Sequence, residues 1–146
     1  MFIDGATYLE AVERFVQKLG EVHREKKFDA VVAPKRSGLF LGVWASHALG
    51  LPLFIPGELR RRGESHERLR KFKRILVVDT AVWRGRTTRK IVSQLGTERE
   101  VFTAVIWREG DGVCDFILEP ETTGDLLKFF YELRPLHGGR FFILGD

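Results

Sequence analysis

Two periodicities divide the chain. Leu9, Val12, Phe15, Val16 and Leu19 recur at helical spacing and predict an amphipathic helix reaching about residue 25. Its start carries Thr7-Tyr8-Leu9-Glu10, whose Thr and Glu have the spacing of a capping box. Asp29-Ala30-Val31-Val32-Ala33, ending at Pro34, is a short apolar run that reads as a buried strand. A helix is expected over Leu39–Leu49, stopped by Gly50 and Pro52, and then a strand at Leu53-Phe54-Ile55 closed by Pro56-Gly57. Arg74-Ile75-Leu76-Val77-Val78-Asp79 is the strongest strand signal. After it come a helix over Thr87–Leu95, a strand over Val101–Trp107, a turn at Asp111-Gly112 and a strand at Phe116-Ile117-Leu118. Gly124–Leu133 reads as helical, and Phe141-Phe142-Ile143-Leu144 as a last edge strand. Apolar strands alternating with helices imply an α/β fold whose central sheet is mostly parallel and covered on both faces. In such sheets ligands sit beyond the carboxyl ends of the strands. That rule singles out the turn at Pro34–Gly38 and the turn at Asp79–Thr88.

With 146 residues the chain has room for one domain, expected to span 1–146, and its 44% hydrophobic content is enough for a core. No run is long and apolar enough to span a bilayer, and the N-terminus lacks the build of a secretory signal, so a cytoplasmic protein without membrane contact is expected. A single cysteine, Cys114, and four scattered histidines speak against disulfide or zinc chemistry. The net charge of +4 is unevenly spread: Glu58–Arg74 holds eight basic residues against three acidic, leaving the remainder at −1. A local positive segment of this kind suits phosphate groups or an RNA backbone, or else a solvated loop. Within it only Phe72 is aromatic, so base stacking there has little support.

The turn Asp79-Thr80-Ala81-Val82-Trp83-Arg84-Gly85-Arg86-Thr87-Thr88 leaves an apolar strand with a carboxylate and enters a helix through Gly and Thr. Gly85 permits a tight backbone, and the helix-start N–H groups with the Thr87 and Thr88 hydroxyls can donate to a phosphate, with Arg84 and Arg86 adding charge. The same residue types also serve plain structure, Asp79 as a turn former and Thr87 as a helix cap. Ser37 lacks the Gly-x-Ser-x-Gly surroundings of a hydrolase nucleophile.

Ile75–Thr88 resembles the phosphoribosyl pyrophosphate (PRPP) motif of type I phosphoribosyltransferases: an apolar strand, two acidic residues, three variable positions, then Thr-Gly-x-Thr. Asp29–Leu39 resembles that family's first strand and pyrophosphate loop, and Ala45–Pro52 its Ala-x-x-Leu-Gly-x-Pro helix ending. The basic segment falls where the family has its flexible hood loop, and the layout is most like the short bacterial xanthine–guanine type. The resemblance implies a phosphoribosyltransferase passing phosphoribosyl from PRPP to a purine-type base, with Mg²⁺ as cofactor, a homodimer as assembly and pyrophosphate as product. It implies Asp79 at the ribose and metal, and Arg84, Gly85, Arg86, Thr87 and Thr88 at the 5′-phosphate. Lys35, Arg36, Ser37 and Gly38 would take the pyrophosphate, and Trp107 and Arg108 the base. The chain departs from the pattern at Thr80, where the second acid is expected, and at Arg84, where Thr is expected. A second reading follows from those departures: a relative without catalysis that senses PRPP or a nucleotide, or binds RNA.

Overall fold

A computed structural model describes residues 1–34, 36–57, 68–121, 124 and 127–129. The elements run β1 (Phe2–Ile3), α1 (Gly5–Lys26), β2 (Ala30–Val32), α2 (Ser37–Leu49), β3 (Leu53–Phe54), β4 (Arg74–Val82), α3 (Arg86–Leu95), β5 (Glu100–Arg108), β6 (Phe116–Glu119) and β7 (Lys128–Phe129). Helix α1 begins earlier than the capping-box spacing predicts. Asp4 is the cap, its Oδ1 accepting the Thr7 N–H at 2.7 Å, which leaves Thr7 inside the first turn.

The main sheet has the order β3-β2-β4-β5-β6, with every pairing parallel. The apolar runs over Ala30–Val32 and Ile75–Val78 become its middle, buried on both faces as parallel strands require. On one face α1 and α2 pack through Val12, Phe15, Leu19, Leu41 and Ala45. On the other, Ile91 and Leu95 of α3 meet Ala30, Val32, Ile75 and Val77. Gly42 is the point of closest approach of α2 to the sheet; a Cβ there would collide with that of Ala33.

β1 pairs with β7 in a separate parallel ribbon, Ile3 opposite Phe129. The helix expected over Gly124–Leu133 is therefore wrong at Lys128–Phe129, where the chain is extended. Phe129 is drawn out of helical periodicity because its ring packs on Tyr8 and Trp107, a tertiary contact that outweighs local preference. The edge strand expected at Phe141–Leu144 lies outside the described residues. No helix among the described residues is long and apolar enough to cross a membrane.

Candidate active site

Strand order fixes where a ligand crevice opens. β2 is followed by β3 on one side and flanked by β4 on the other, so chain progression reverses between β2 and β4. The two turns singled out by the sequence leave the carboxyl ends of these two strands, and the fold brings them together. A Cβ at Gly38 would stand 2.9 Å from Asp79 Oδ1 and 2.8 Å from the Pro34 ring, so only glycine lets α2 start this close to the carboxylate. Arg36 and Ser37 flank this contact, Arg36 exposed and Ser37 half-buried. Lys35 lies outside the described residues, as do Glu58–Glu67 of the basic segment.

Beyond β4 lies a cleft of about 350 Å³ lined by Asp79, Trp83, Arg84, Gly85, Arg86, Thr87, Thr88 and Glu109, with Ala81 and Val82 at its floor. Gly85 caps α3 with φ 68°, a left-handed conformation that glycine adopts without strain. No side chain caps this helix and its first turn holds no acid, so its leading N–H groups face the cleft with their partial positive charge uncompensated. Arg84, Arg86 and Thr87 are exposed at the mouth, whereas Thr88 is buried. One wall of the site is thus built to receive an anion.

The cleft also holds two acids, Asp79 and Glu109. Asp79 Oδ1 accepts the N–H of Thr80 at 2.7 Å. Burial pushes the Asp79 pKa up to about 7, against the lowering effect of the Thr80 N–H, and the Glu109 charge pushes it further in the same direction. Glu109, almost fully buried, follows the end of β5; its N–H donates to Val82 O at 2.9 Å and its Oε1 accepts the Leu127 N–H at 3.0 Å. Thr80 points the other way, into the core beside the Tyr8 ring, fully buried. A carboxylate at that position would be fully buried beside the Tyr8 hydroxyl and away from solvent, a costly place for a charge, which explains why a threonine suits it here.

The β5–β6 connection also braces the anion-binding turn. Gly112 N–H donates to Trp83 O at 2.6 Å, and a Cβ at Gly110 would stand 2.7 Å from that same oxygen. A Cβ on Gly112 would collide with the Val82 side chain and stand 3.0 Å from Gly85 N.

Trp107 and Arg108, expected at the base, are not among the residues lining this cleft. Trp107 is only 6% exposed, its ring packed 6.0 Å from Tyr8 and 5.5 Å from Phe129. Its place on β5, between Ala81 and Glu119, turns it into the layer beneath α1. Arg108 curls back, its Nε donating to Gly110 O at 3.1 Å. The residues that line the cleft and were not expected as site residues are Ala81, Val82, Trp83 and Glu109. Glu109 was discoverable: it is the residue that follows a buried strand at the edge where α/β sheets bind ligands.

No family model matches the sequence, and no curated protein matches it either. Solved structures share the fold of this chain. It superimposes on the purine phosphoribosyltransferase from Pyrococcus horikoshii with TM-score 0.70 and 20% identity, covering 93% of this chain and 96% of that one. The chain has the type I phosphoribosyltransferase fold. The Helicobacter pylori xanthine-guanine-hypoxanthine phosphoribosyltransferase matches with TM-score 0.69 and 18% identity over 90% of this chain and 91% of its own. The orotate phosphoribosyltransferase from Aeropyrum pernix matches with TM-score 0.55 and 21% identity, covering 73% of this chain and 61% of that one. Proteins named for purine and for orotate share this fold, so the fold by itself names no substrate.

Proposed function

We propose that this chain is a phosphoribosyltransferase that transfers the phosphoribosyl group of PRPP to a nucleobase, releasing pyrophosphate. The observation that carries the proposal is the cleft at the strand-order switch point, where an uncapped glycine-started helix faces Asp79. In this reading the α3 start, with Arg84, Gly85, Arg86, Thr87 and Thr88, holds the 5′-phosphate. Arg36, Ser37 and Gly38 lie on the side of Asp79 from which pyrophosphate leaves, and Lys35 belongs to the same loop. Asp79 orients the ribose hydroxyls. The work of these residues is placement and fixed charge.

Mg²⁺ belongs to the proposal as an ion carried mainly by the substrate's own oxygens. Among the described residues no group of three or more His, Cys, Asp or Glu could hold a metal, while Asp79 in the cleft offers one hard oxygen ligand, as many magnesium–phosphate sites use. The chemistry the ion supplies when bound is neutralisation of the departing pyrophosphate charge.

The acceptor proposed is a purine, after the purine and xanthine-guanine-hypoxanthine enzymes whose fold overlaps at least nine-tenths of this chain, and the assembly a homodimer, checked by sedimentation equilibrium. A second reading, a PRPP or nucleotide sensor without turnover, draws on Thr80 in place of an acid. Incubation with PRPP, Mg²⁺ and a panel of purine bases decides between them. Pyrophosphate release abolished by Asp79→Asn supports transfer; Mg²⁺-dependent nucleotide binding without release supports the sensor. The RNA variant of that reading rests on the basic segment, whose residues 58–67 lie outside the described ones. It predicts RNA affinity whose salt slope falls when Arg60, Arg61 and Arg62 are replaced.

A further inference from the structure

An acid is missing from the sequence pattern at Thr80, and the fold explains what stands in its place. Position 80 turns into the core beside Tyr8, away from the cleft, so an acid there would be buried rather than offered to a ligand. One strand over, the chain supplies a carboxylate that the pattern does not contain. β4 and β5 pair in parallel from Arg74 opposite Glu100 to Val82 opposite Arg108, so Glu109 emerges just past the end of this ladder, on the cleft side. Its backbone is pinned by its N–H bond to Val82 O at 2.9 Å, and its side chain by the Leu127 N–H at 3.0 Å on Oε1. Leu127 is itself fixed in the core cluster, next to the ribbon formed by β1 and β7. A glutamate held at both ends and only 9% exposed has lost most of the rotamer freedom it has at a surface. Asp79 and Glu109 face the same cleft closely enough for the charge of one to be felt by the other. The same cleft is lined by the start of α3, Arg84 and Arg86.

From this placement we infer that Glu109 is the second sugar-facing carboxylate of the cleft, acting with Asp79 to favour positive charge on a ribosyl group whose phosphate is held at the α3 start. The inference rests on the phosphoribosyl-transfer reading and names a residue for it. The step it serves balances simply. The C1–O bond of PRPP breaks with its electron pair leaving on the pyrophosphate oxygen. The lone pair of the base nitrogen forms the C1–N bond, and the proton of that nitrogen passes to solvent. Neither carboxylate forms a bond. Positive charge develops on the sugar while the C1–O bond is breaking, and fixed negative charge nearby is worth more in a water-poor cleft than in bulk solvent. The anionic and cationic walls divide the substrate between them: phosphoryl oxygens toward the helix start and arginines, sugar ring toward the acids.

The test needs no turnover. Two ligands differ in the charge on the ring: ribose 5-phosphate, with a neutral ring, and 1,4-imino-ribitol 5-phosphate, whose ring nitrogen is protonated. Calorimetric titration of the full chain with each is compared for wild type, Glu109→Gln and Glu109→Asp. Glutamine keeps the Oε1 acceptor for the Leu127 N–H, so the fold is preserved, and equal melting temperatures check it. The expected result is that Glu109→Gln weakens the imino ligand by about 10-fold or more, while ribose 5-phosphate changes by about 2-fold or less. Glu109→Asp recovers part of the difference. Equal losses for both ligands, or no loss for either, overturn the role assigned to Glu109 and leave the transfer reading standing. Failure of wild type to bind ribose 5-phosphate overturns the transfer reading, and the inference with it.

Discussion

At Asp79 burial and function pull against each other. Its pKa near 7 lies above the ordinary 3.8, so between about pH 4 and pH 7 the folded state holds a proton that the unfolded state has released. Stability from this group is therefore present at low pH and is lost as pH rises through that window. Asp79→Asn removes the loss: its melting temperature should exceed that of wild type at about pH 8, with the gap closing at about pH 4. Activity should run the other way. The ionised carboxylate is the useful form, so kcat/KM rises with pH through about 7, and Asp79→Asn abolishes it. Trp107 gives the opposite kind of prediction. Packed against Tyr8 and Phe129, it serves the core, so Trp107→Phe lowers the melting temperature and leaves the ranking of acceptor bases unchanged.

The element that does most for the site is the turn between β4 and α3, and it is shaped from both sides. Gly85 needs φ 68°, where a Cβ costs about 1–2 kcal/mol, so Gly85→Ala weakens both stability and ribose 5-phosphate binding. Gly112 acts from outside, holding Trp83 O by a 2.6 Å hydrogen bond. Gly112→Ala drives a methyl against Gly85 N and the Val82 side chain at the cleft floor, so it should raise KM for PRPP although position 112 itself lies outside the cleft, read by steady-state kinetics. The local half of this element was legible in the sequence. An apolar run, an aspartate and a Gly-x-Thr helix start are all short-range signals, and strand and helix form there, except that β4 runs past Asp79 to Val82 because it stays paired with β5, which shortens the turn to Trp83–Gly85. The brace from Gly110 and Gly112 was not, and Glu109, visible as the residue after a buried strand, could not be matched with Asp79, because both depend on the pairing of β4 with β5, a non-local register that periodicity does not carry. The same limit explains the misreading of Lys128–Phe129 as helix and the burial of Trp107 near the end of β5: both are decided by packing around Tyr8.

For the molecule as a whole, the parallel sheet does two jobs. Its middle strands bury apolar side chains on both faces, and their carboxyl ends open a crevice where the order of strands reverses. Stability and site are therefore separable. Phe15, fully buried and 6.0 Å from the Phe116 ring, belongs to the first job: Phe15→Ala should cost about 3–5 kcal/mol in denaturant titration, a large part of a domain's total, yet leave KM for PRPP unchanged under conditions where the chain is folded. The crevice belongs to the second, and one measurement addresses it most directly. A crystal of this chain soaked with PRPP and Mg²⁺ should show the 5′-phosphate over the N–H groups of Arg86, Thr87 and Thr88, with the pyrophosphate reaching toward Arg36. Electron density for PRPP anywhere else on the molecule, or none at millimolar PRPP, would contradict the account.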